Sequence, residues 1–398
     1  MKKWCEIAGI RLAAGAAGIR KPGRDDLVLM ELAEGSATAA VFTRNAFCAA
    51  PVRVAREHLA TAEPRWLLIN SGNANAGMGE QGLRDARACC EALARLAGDR
   101  ESSVLPFSTG VIGERLPAGR ITASLPTLLE QLAPDCWPEA ARAIMTTDTR
   151  PKMACRTFRL GESECRLTGI AKGAGMICPD MATMLAFIAT DARVPRPLLQ
   201  ALLEEAVEVS FNRITVDGDT STNDACVLVA SGRGGVEIGS GAGPAATAFR
   251  EALGSLCREL AQAIVRDGEG ATKFIELRIR GGRSEAECLA VGRTVANSPL
   301  VKTAFFASDP NWGRILAAVG RAGIADLEVG KVDIHLGEVR IVRQGGRDPG
   351  YREELGAAVM AGDEITVTID LGRGDAATTV WTCDLSYDYV RINAEYRT

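Results

Sequence analysis

The stretch from Gly169 to Ala192, GIAKGAGMICPDMATMLAFIATDA, constrains this chain more than any other. From Thr183 to Thr190 it is almost wholly apolar, short and rich in β-formers, the pattern of a strand buried on both faces. Ahead of it lies a small-residue loop, Lys172-Gly173-Ala174-Gly175-Met176, and then Pro179. Two roles are open to Thr183. It is either a packing residue at the start of a buried strand or a nucleophile. A Thr hydroxyl attacks poorly unless a base stands beside it, and a Thr with a free α-amine carries that base itself. The second role requires the chain to be cut between Ala182 and Thr183.

At 398 residues the chain is long enough for two or three domains. A net charge of −4 gives no electrostatic case for nucleic acid or an anionic membrane. No apolar run reaches the ~18 residues of a membrane span. Glu6 and Arg11 interrupt the segment after Lys2 and Lys3, so neither a signal peptide nor export is expected, and the location expected is cytoplasmic. The 12 cysteines form no C-x-x-C pair, so no zinc or redox motif is present and no metal is expected; free, buried thiols fit a reducing compartment. Only His58 and His335 exist, in a helix-like and a strand-like segment, and both fit structural roles. A His-based triad has few candidates, which favours a nucleophile that brings its own amine.

Along the chain, residues 26–60 read as strand segments, apart from the helix-like VAREHLA around His58, and WLLIN (66–70) is a strand running into SGNANAG. Leu83, Ala86, Cys90, Leu93 and Ala94 mark a helix stopped by Gly98. Asp135 is a candidate cap for a helix with Pro138 in its first turn. Residues 153–159 and 164–171 form a hairpin around Gly161. Helices follow at 196–209 and around Phe249, Leu253, Leu256, Leu260 and Ile264, with a strand at 225–231 between them. FIELRIRG alternates as a half-buried strand. Strands at 331–335, 338–343, 364–370 and 376–384, with short helices, make a compact α+β unit. A main α/β domain over about 1–270 and a C-terminal domain over about 271–398 are expected.

Several segments carry polar groups suited to acyl chemistry. VLPFSTGVIGERLP ends a strand at Ser108, with Thr109 and Gly110 at its edge; a hydroxyl and an amide aimed at one point can hold a developing oxyanion, although a Thr-Gly pair after a strand is by itself commonplace. Lys172 suits an ion pair or, alternatively, the carboxylate of a bound substrate. Its glycines follow rather than precede it, so KGAGM is not a phosphate loop. Glu269, in DGEGATK, sits between glycines as a turn carboxylate by default. The end, YVRINAEYRT, would ordinarily fray.

KGAGMICPDMATML resembles the cleavage-site signature of the ornithine acetyltransferase (glutamate N-acetyltransferase) family of arginine biosynthesis. SGNANAG, STGVIGE, MTTDTRPK, VDGDTSTND, DGEGATK, NSPLVKTAFFASDPNWGRILAAVG and the terminal segment resemble that family too. The resemblance implies an α/β multilayer sandwich of the ornithine acetyltransferase type with a smaller α+β C-terminal unit. It implies self-cleavage at Ala182/Thr183 into fragments 1–182 and 183–398, assembled as a pair of each, α2β2. Thr183 is then the nucleophile, Thr109 and Gly110 the oxyanion hole, and Lys172, Thr183, Glu269, Asn393, Thr398 and one or both of Thr146 and Thr147 contact substrate. The substrates implied are N-acetylornithine and glutamate, with acetyl-CoA as an optional co-substrate and no cofactor. A self-cleaving amidase or aminopeptidase using water as acceptor shares the same nucleophile and is the alternative.

Overall fold

The computed structural model describes residues 4–20, 23–178 and 184–396. The central apolar run forms the strand Leu185–Thr190, with all six residues buried. It lies in the middle of a five-stranded sheet ordered Ala37–Phe42, Ala225–Ala230, Leu185–Thr190, Ser163–Lys172, Lys152–Leu160. Its pairing is parallel with Ala225–Ala230 and antiparallel with Ser163–Lys172, where Leu185 lies opposite Lys172.

A second sheet is built from Ile10–Gly15, Leu27–Leu32, Trp66–Asn73 and Val104–Val111. The two sheets share one core, in which Leu12, Met30, Ile69 and Phe107 pack with Ile170, Leu185, Phe187 and Val227. Phe107 and Phe187 meet edge to face with ring centroids 5.1 Å apart. On the outer face of the second sheet, Leu27, Leu68 and Val104 pack with Leu93 of the helix Gly79–Ala97 and with Ile121, Leu125 and Leu128 of the helix Ala118–Glu130. The helix Pro244–Arg266 lies against the five-stranded sheet at Gly169, where an added Cβ would stand 2.9 Å from Leu256 and 3.1 Å from Leu260. A glycine there lets helix and strand approach closely. Helix, sheet, sheet and helix are the layers of a multilayer α/β sandwich, as expected.

That sandwich comprises Met1–Asn212 and Asp219–Ile264; a second compact unit comprises Arg213–Gly218 and Val265–Thr398. The second unit is built on a six-stranded sheet in which Phe274–Gly282 runs parallel to Glu364–Asp370 and antiparallel to Ala376–Cys383. Ile275, Leu277 and Ile279 face a core with Val291, Val295 and Phe305 from the helices Glu285–Ala296 and Pro299–Phe306.

Three expectations need correction. The helix expected at VAREHLA is present but begins earlier, at Ala50, so residues 50–53 are helix rather than strand; Pro51 opens its first turn, and Val54, Ala55, His58 and Leu59 share its buried side. The helix Trp137–Ala143 is preceded by Cys136 rather than Asp135. The terminal segment forms the helix Tyr387–Ala394, instead of fraying from its start.

Candidate active site

The strands Trp66–Asn73 and Val104–Val111 run parallel and end together, with Ser71 opposite Thr109 and Gly72 opposite Gly110. Gly110 has φ +135°, and a Cβ there would stand 2.3 Å from the carbonyl carbon of Gly72 and 2.5 Å from the nitrogen of Asn73. Only a glycine permits that approach. The neighbouring turns are tied to it. Asn223 Nδ2 donates to the carbonyls of Ala74 (2.6 Å) and Ser108 (3.0 Å), and Ser108 Oγ donates to Asn70 Oδ1 (2.5 Å). SGNANAG is thus the wall behind the Thr109–Gly110 edge. Gly110→Ala is expected to push the two strand ends apart and to lower turnover at least as much as losing one oxyanion donor, about 10²–10³-fold. Steady-state kinetics on protein of native far-UV circular dichroism checks it.

Lys172 ends the strand Ser163–Lys172 and is buried, with Nζ donating to Thr109 Oγ1 at 3.2 Å. Two residues singled out in the sequence are therefore in direct contact. Beside them stands Asp148, whose Oδ1 accepts from Lys152 Nζ (2.6 Å) and the Gly173 amide (2.7 Å) and whose Oδ2 accepts from the Thr146 amide (3.0 Å). Burial pushes the Asp148 carboxyl up. Lys172, Lys152 and the hydrogen bonds from Lys152 and Gly173 outweigh that and hold it well below the usual carboxylate range.

Asp224, directly ahead of the strand Ala225–Ala230, behaves oppositely. Burial pushes its carboxyl well above the usual range, against hydrogen bonds from Ser221 and the charge of Lys172. Its Oδ2 is buried and has no hydrogen-bond partner among the described residues.

The described chain leaves at Cys178 and resumes at Met184. Met184 Cβ would lie 3.4 Å from a Cβ on Gly173, and the Ala225 amide donates to the Met184 carbonyl at 3.0 Å. Ile177 Cδ1 would lie 3.0 Å from the same Cβ, so Ile177 and Met184 both stand at Gly173. Ala182 and Thr183 themselves lie outside the described residues, as does Thr398. Thr146 and Thr147 are both half-buried.

In the second unit Glu269 is buried rather than a surface turn residue, and Asn393 Nδ2 donates to its Oε2 at 2.8 Å. Gly270 (φ +69°) makes this possible, since a Cβ there would meet the Tyr389 nitrogen at 2.4 Å. Ser386 Oγ donates to the Gly270 carbonyl (2.6 Å), and the Thr272 and Lys273 amides both donate to Asp384 Oδ1 (2.8 Å). The DGEG turn and the terminal helix thus form one clamp.

His58 is buried with Nδ1 2.7 Å from the Val104 carbonyl, a structural role. Among the described residues no group of three or more His, Cys, Asp or Glu could hold a metal ion, and no helix is long and apolar enough to cross a membrane. Asp148 and Asp224 were not singled out from the sequence. Each lies in a polar motif whose other members are loop-formers, and no periodic signal separates a buried carboxylate from a turn one.

The model of the ArgJ family matches residues 11–398. The arginine biosynthesis bifunctional protein ArgJ of Methylococcus capsulatus is 63% identical over 394 residues, covering 99% of this chain and 96% of that protein. The protein of the same name from Pseudomonas syringae pv. tomato is 56% identical over 393 residues, covering 98% and 97%. The crystal structure of the arginine biosynthesis bifunctional protein ArgJ of Bacillus halodurans matches with a TM-score of 0.50 at 40% identity, covering 53% of this chain and 98% of the solved one.

Proposed function

The chain belongs to the ArgJ family and is an acetyl-transfer enzyme of arginine biosynthesis, and from that premise we propose that it moves the acetyl group of N-acetyl-L-ornithine to L-glutamate through an acetyl ester on Thr183. The observation that carries the site assignment is the contact of Lys172, at the end of the strand that precedes the 182/183 segment, with Thr109 next to Gly110 at the end of Val104–Val111. Leu185, two positions after Thr183 in sequence, is the register partner of Lys172.

The precursor first cuts itself. The Thr183 hydroxyl attacks the Ala182 carbonyl, the Ala182–Thr183 C–N bond breaks as the acyl group passes to oxygen and leaves the Thr183 α-amine free, and water then hydrolyses the ester to release the Ala182 carboxylate and the Thr183 hydroxyl. In the transfer cycle that amine takes the hydroxyl proton as Thr183 Oγ bonds to the acetyl carbon, while Thr109 and Gly110 donate to the oxyanion. Collapse breaks the C–N bond, and the proton passes to the departing ornithine amine. The glutamate amine then attacks the acetyl ester by the same steps in reverse. An α-amine with a reference pKa of about 7.7–8.0 is suited to carrying that proton near neutral pH. Thr146, Thr147, Glu269, Asn393 and Thr398 are retained as substrate contacts.

Two observations support the cut. The Bacillus halodurans chain is matched over nearly all its length yet accounts for about half of this one, as a fragment beginning at Thr183 would. The five-stranded sheet also combines strands from both sides of the bond: Ala37–Phe42, Lys152–Leu160 and Ser163–Lys172 before it, with Leu185–Thr190 and Ala225–Ala230 from after it inserted between Ala37–Phe42 and Ser163–Lys172. Cut fragments stay hydrogen-bonded in one sheet, a basis for the paired-fragment assembly. The relatives' shared name calls them bifunctional, and acetyl-CoA as a second acetyl donor to glutamate fits that description.

The test is to supply N-acetylornithine with and without glutamate. Ornithine release should require glutamate and match the acetylglutamate formed. Equal release without glutamate, with acetate as co-product, would instead establish the water-using amidase.

A further inference from the structure

Past the Thr109–Gly110 edge the two chains stay paired, the Ala74 amide donating to the Val111 carbonyl (2.9 Å) and the Gly113 amide to the Ala76 carbonyl (3.0 Å). An aromatic ring stands at the end of that pairing. Phe47 Cζ would lie 3.2 Å, and Ile112 Cγ2 3.9 Å, from a Cβ on Gly77. Phe47 is 56% exposed, the only exposed phenylalanine among the described residues. Its loop is fixed: the Phe47 amide donates to Asn45 Oδ1 (2.9 Å), and Asn45 Nδ2 donates to the Thr220 carbonyl (3.1 Å). One exposed ring on a surface is ordinary. Its neighbours are what set this one apart.

Arg53 and Arg56 lie exposed on the helix Ala50–Thr61. Arg56 is turned toward the Phe47 loop, with Nη2 donating to the Thr43 carbonyl (2.5 Å) and Cζ 5.5 Å from the centroid of the Phe42 ring. Neither guanidinium has a carboxylate partner among the described residues, and Glu57, one turn along the helix from Arg53, is held by Arg87 at 2.5 Å. Cys48, next in sequence to Phe47, senses both ends of this surface. Burial pushes its thiol up, Arg56 and Arg53 pull it down, and Asp224 of the candidate site pushes it up. The ring, the two cations and the site carboxyl are thus grouped around residues 47–48.

We propose that Phe47, Arg53 and Arg56 form the docking surface for acetyl-CoA, the ring packing on the pantetheine arm and the guanidiniums facing the phosphates while the acetyl group reaches the Thr109–Gly110 edge. This rests on the acetyl-transfer reading and deepens it, because it gives the second acetyl donor a place to bind. The occupant follows from charge and chemistry. A coenzyme A thioester carries its acetyl group at one end of a largely apolar arm and its anionic phosphates at the other. N-acetylornithine has neither arm nor phosphate and needs none of these three side chains. In the step itself Thr183 Oγ bonds to the thioester carbonyl carbon and its proton passes to the α-amine. The C–S bond then breaks, and the coenzyme leaves as the thiol with that proton. Glutamate takes the acetyl group from Thr183 as before.

The test assays the full-length protein and two variants, Arg53→Glu and Phe47→Ala, for acetylglutamate formation with acetyl-CoA and, separately, with N-acetylornithine as donor. Both side chains are exposed, and that of Arg53 makes no hydrogen bond among the described residues, so folding is not at stake. Arg53→Glu should raise the KM for acetyl-CoA by about fivefold or more, an exposed attraction turned into repulsion, and the effect should shrink as salt is added. Phe47→Ala should raise the same KM by about fivefold with no such dependence on salt, since the loss is of apolar contact. Kinetics with N-acetylornithine should stay at the parent's values in both. An acetyl-CoA KM that is unchanged in either variant, or an equal loss with both donors, overturns the inference. A parent that uses N-acetylornithine but not acetyl-CoA overturns this inference and leaves the transfer reading standing. A parent that moves no acetyl group from either donor overturns both.

Discussion

Thr183→Ala is expected to remain a single uncut chain and to transfer no acetyl group. One hydroxyl has two tasks in the proposed chemistry, attacking the Ala182 carbonyl once and then carrying the acetyl group in every cycle. The α-amine that serves as its base exists only after the cut. Removing the oxygen therefore removes nucleophile and base together, and the loss should be far larger than the about 10²–10³-fold caused by deleting one oxyanion donor. Thr183→Ser keeps an oxygen at the same position and should still cut. Activity measured alongside denaturing electrophoresis of the purified variants checks both. An uncut Thr183→Ala that transfers acetyl groups would place the nucleophile elsewhere.

The second large effect concerns stability. Asp148 and Lys152 form an ion pair with both side chains out of water, and Asp148 also accepts from the Thr146 and Gly173 amides. Asp148→Asn leaves the Lys152 ammonium buried without its carboxylate, which costs about 3–5 kcal/mol. At roughly 2–4 °C per kcal/mol for a large domain, the midpoint of thermal unfolding should fall by about 10 °C. The pH dependence follows from the direction of the Asp148 shift. Its folded carboxyl is held below the unfolded value of about 3.9, so the contribution is fully present above that pH and is lost as pH falls further. Asp224 acts in the other sense. Its raised carboxyl favours folding most below the unfolded value and progressively less as pH rises toward the folded one. Comparing parent with Asp148→Asn by chemical denaturation at pH 3 to 7 isolates the first contribution. A gap between the two proteins that does not narrow toward pH 3 would show that the ion pair is not its source.

How far the fold was legible depended on whether an element carried its own periodic signal. The helix Pro244–Arg266 did, with Phe249, Leu253, Leu256, Leu260 and Ile264 all fully buried along one stripe. So did Leu185–Thr190, apolar on both faces because a layer covers each. Ala118–Glu130 did not. It buries only Ile121, Leu125 and Leu128, and Pro126 falls within it. The helix Tyr387–Ala394 buries none of its residues, so no amphipathic stripe announces it; the contacts of Asn393 with Glu269 and of Ser386 with Gly270 tie it down.

The site divides in the same way. Thr109 and Gly110 were marked by resemblance, and the physical reason for the glycine, its collision course with Gly72 and Asn73, appears only once two strands end side by side. The Lys172–Thr109 contact joins positions that no local pattern connects. Asp148 and Asp224 carry opposite charge preferences because of what surrounds them, a property of packing rather than of the motifs that contain them.

The central claim is that Thr183 becomes an N-terminal nucleophile by self-cleavage. Intact mass spectrometry of the purified full-length protein, with no protease added, tests it most directly when paired with native size-exclusion chromatography. The account predicts two polypeptides, one ending at Ala182 and one beginning at Thr183, that co-elute under native conditions and separate only in denaturant. A single polypeptide of 398 residues that transfers acetyl groups at full rate would contradict it.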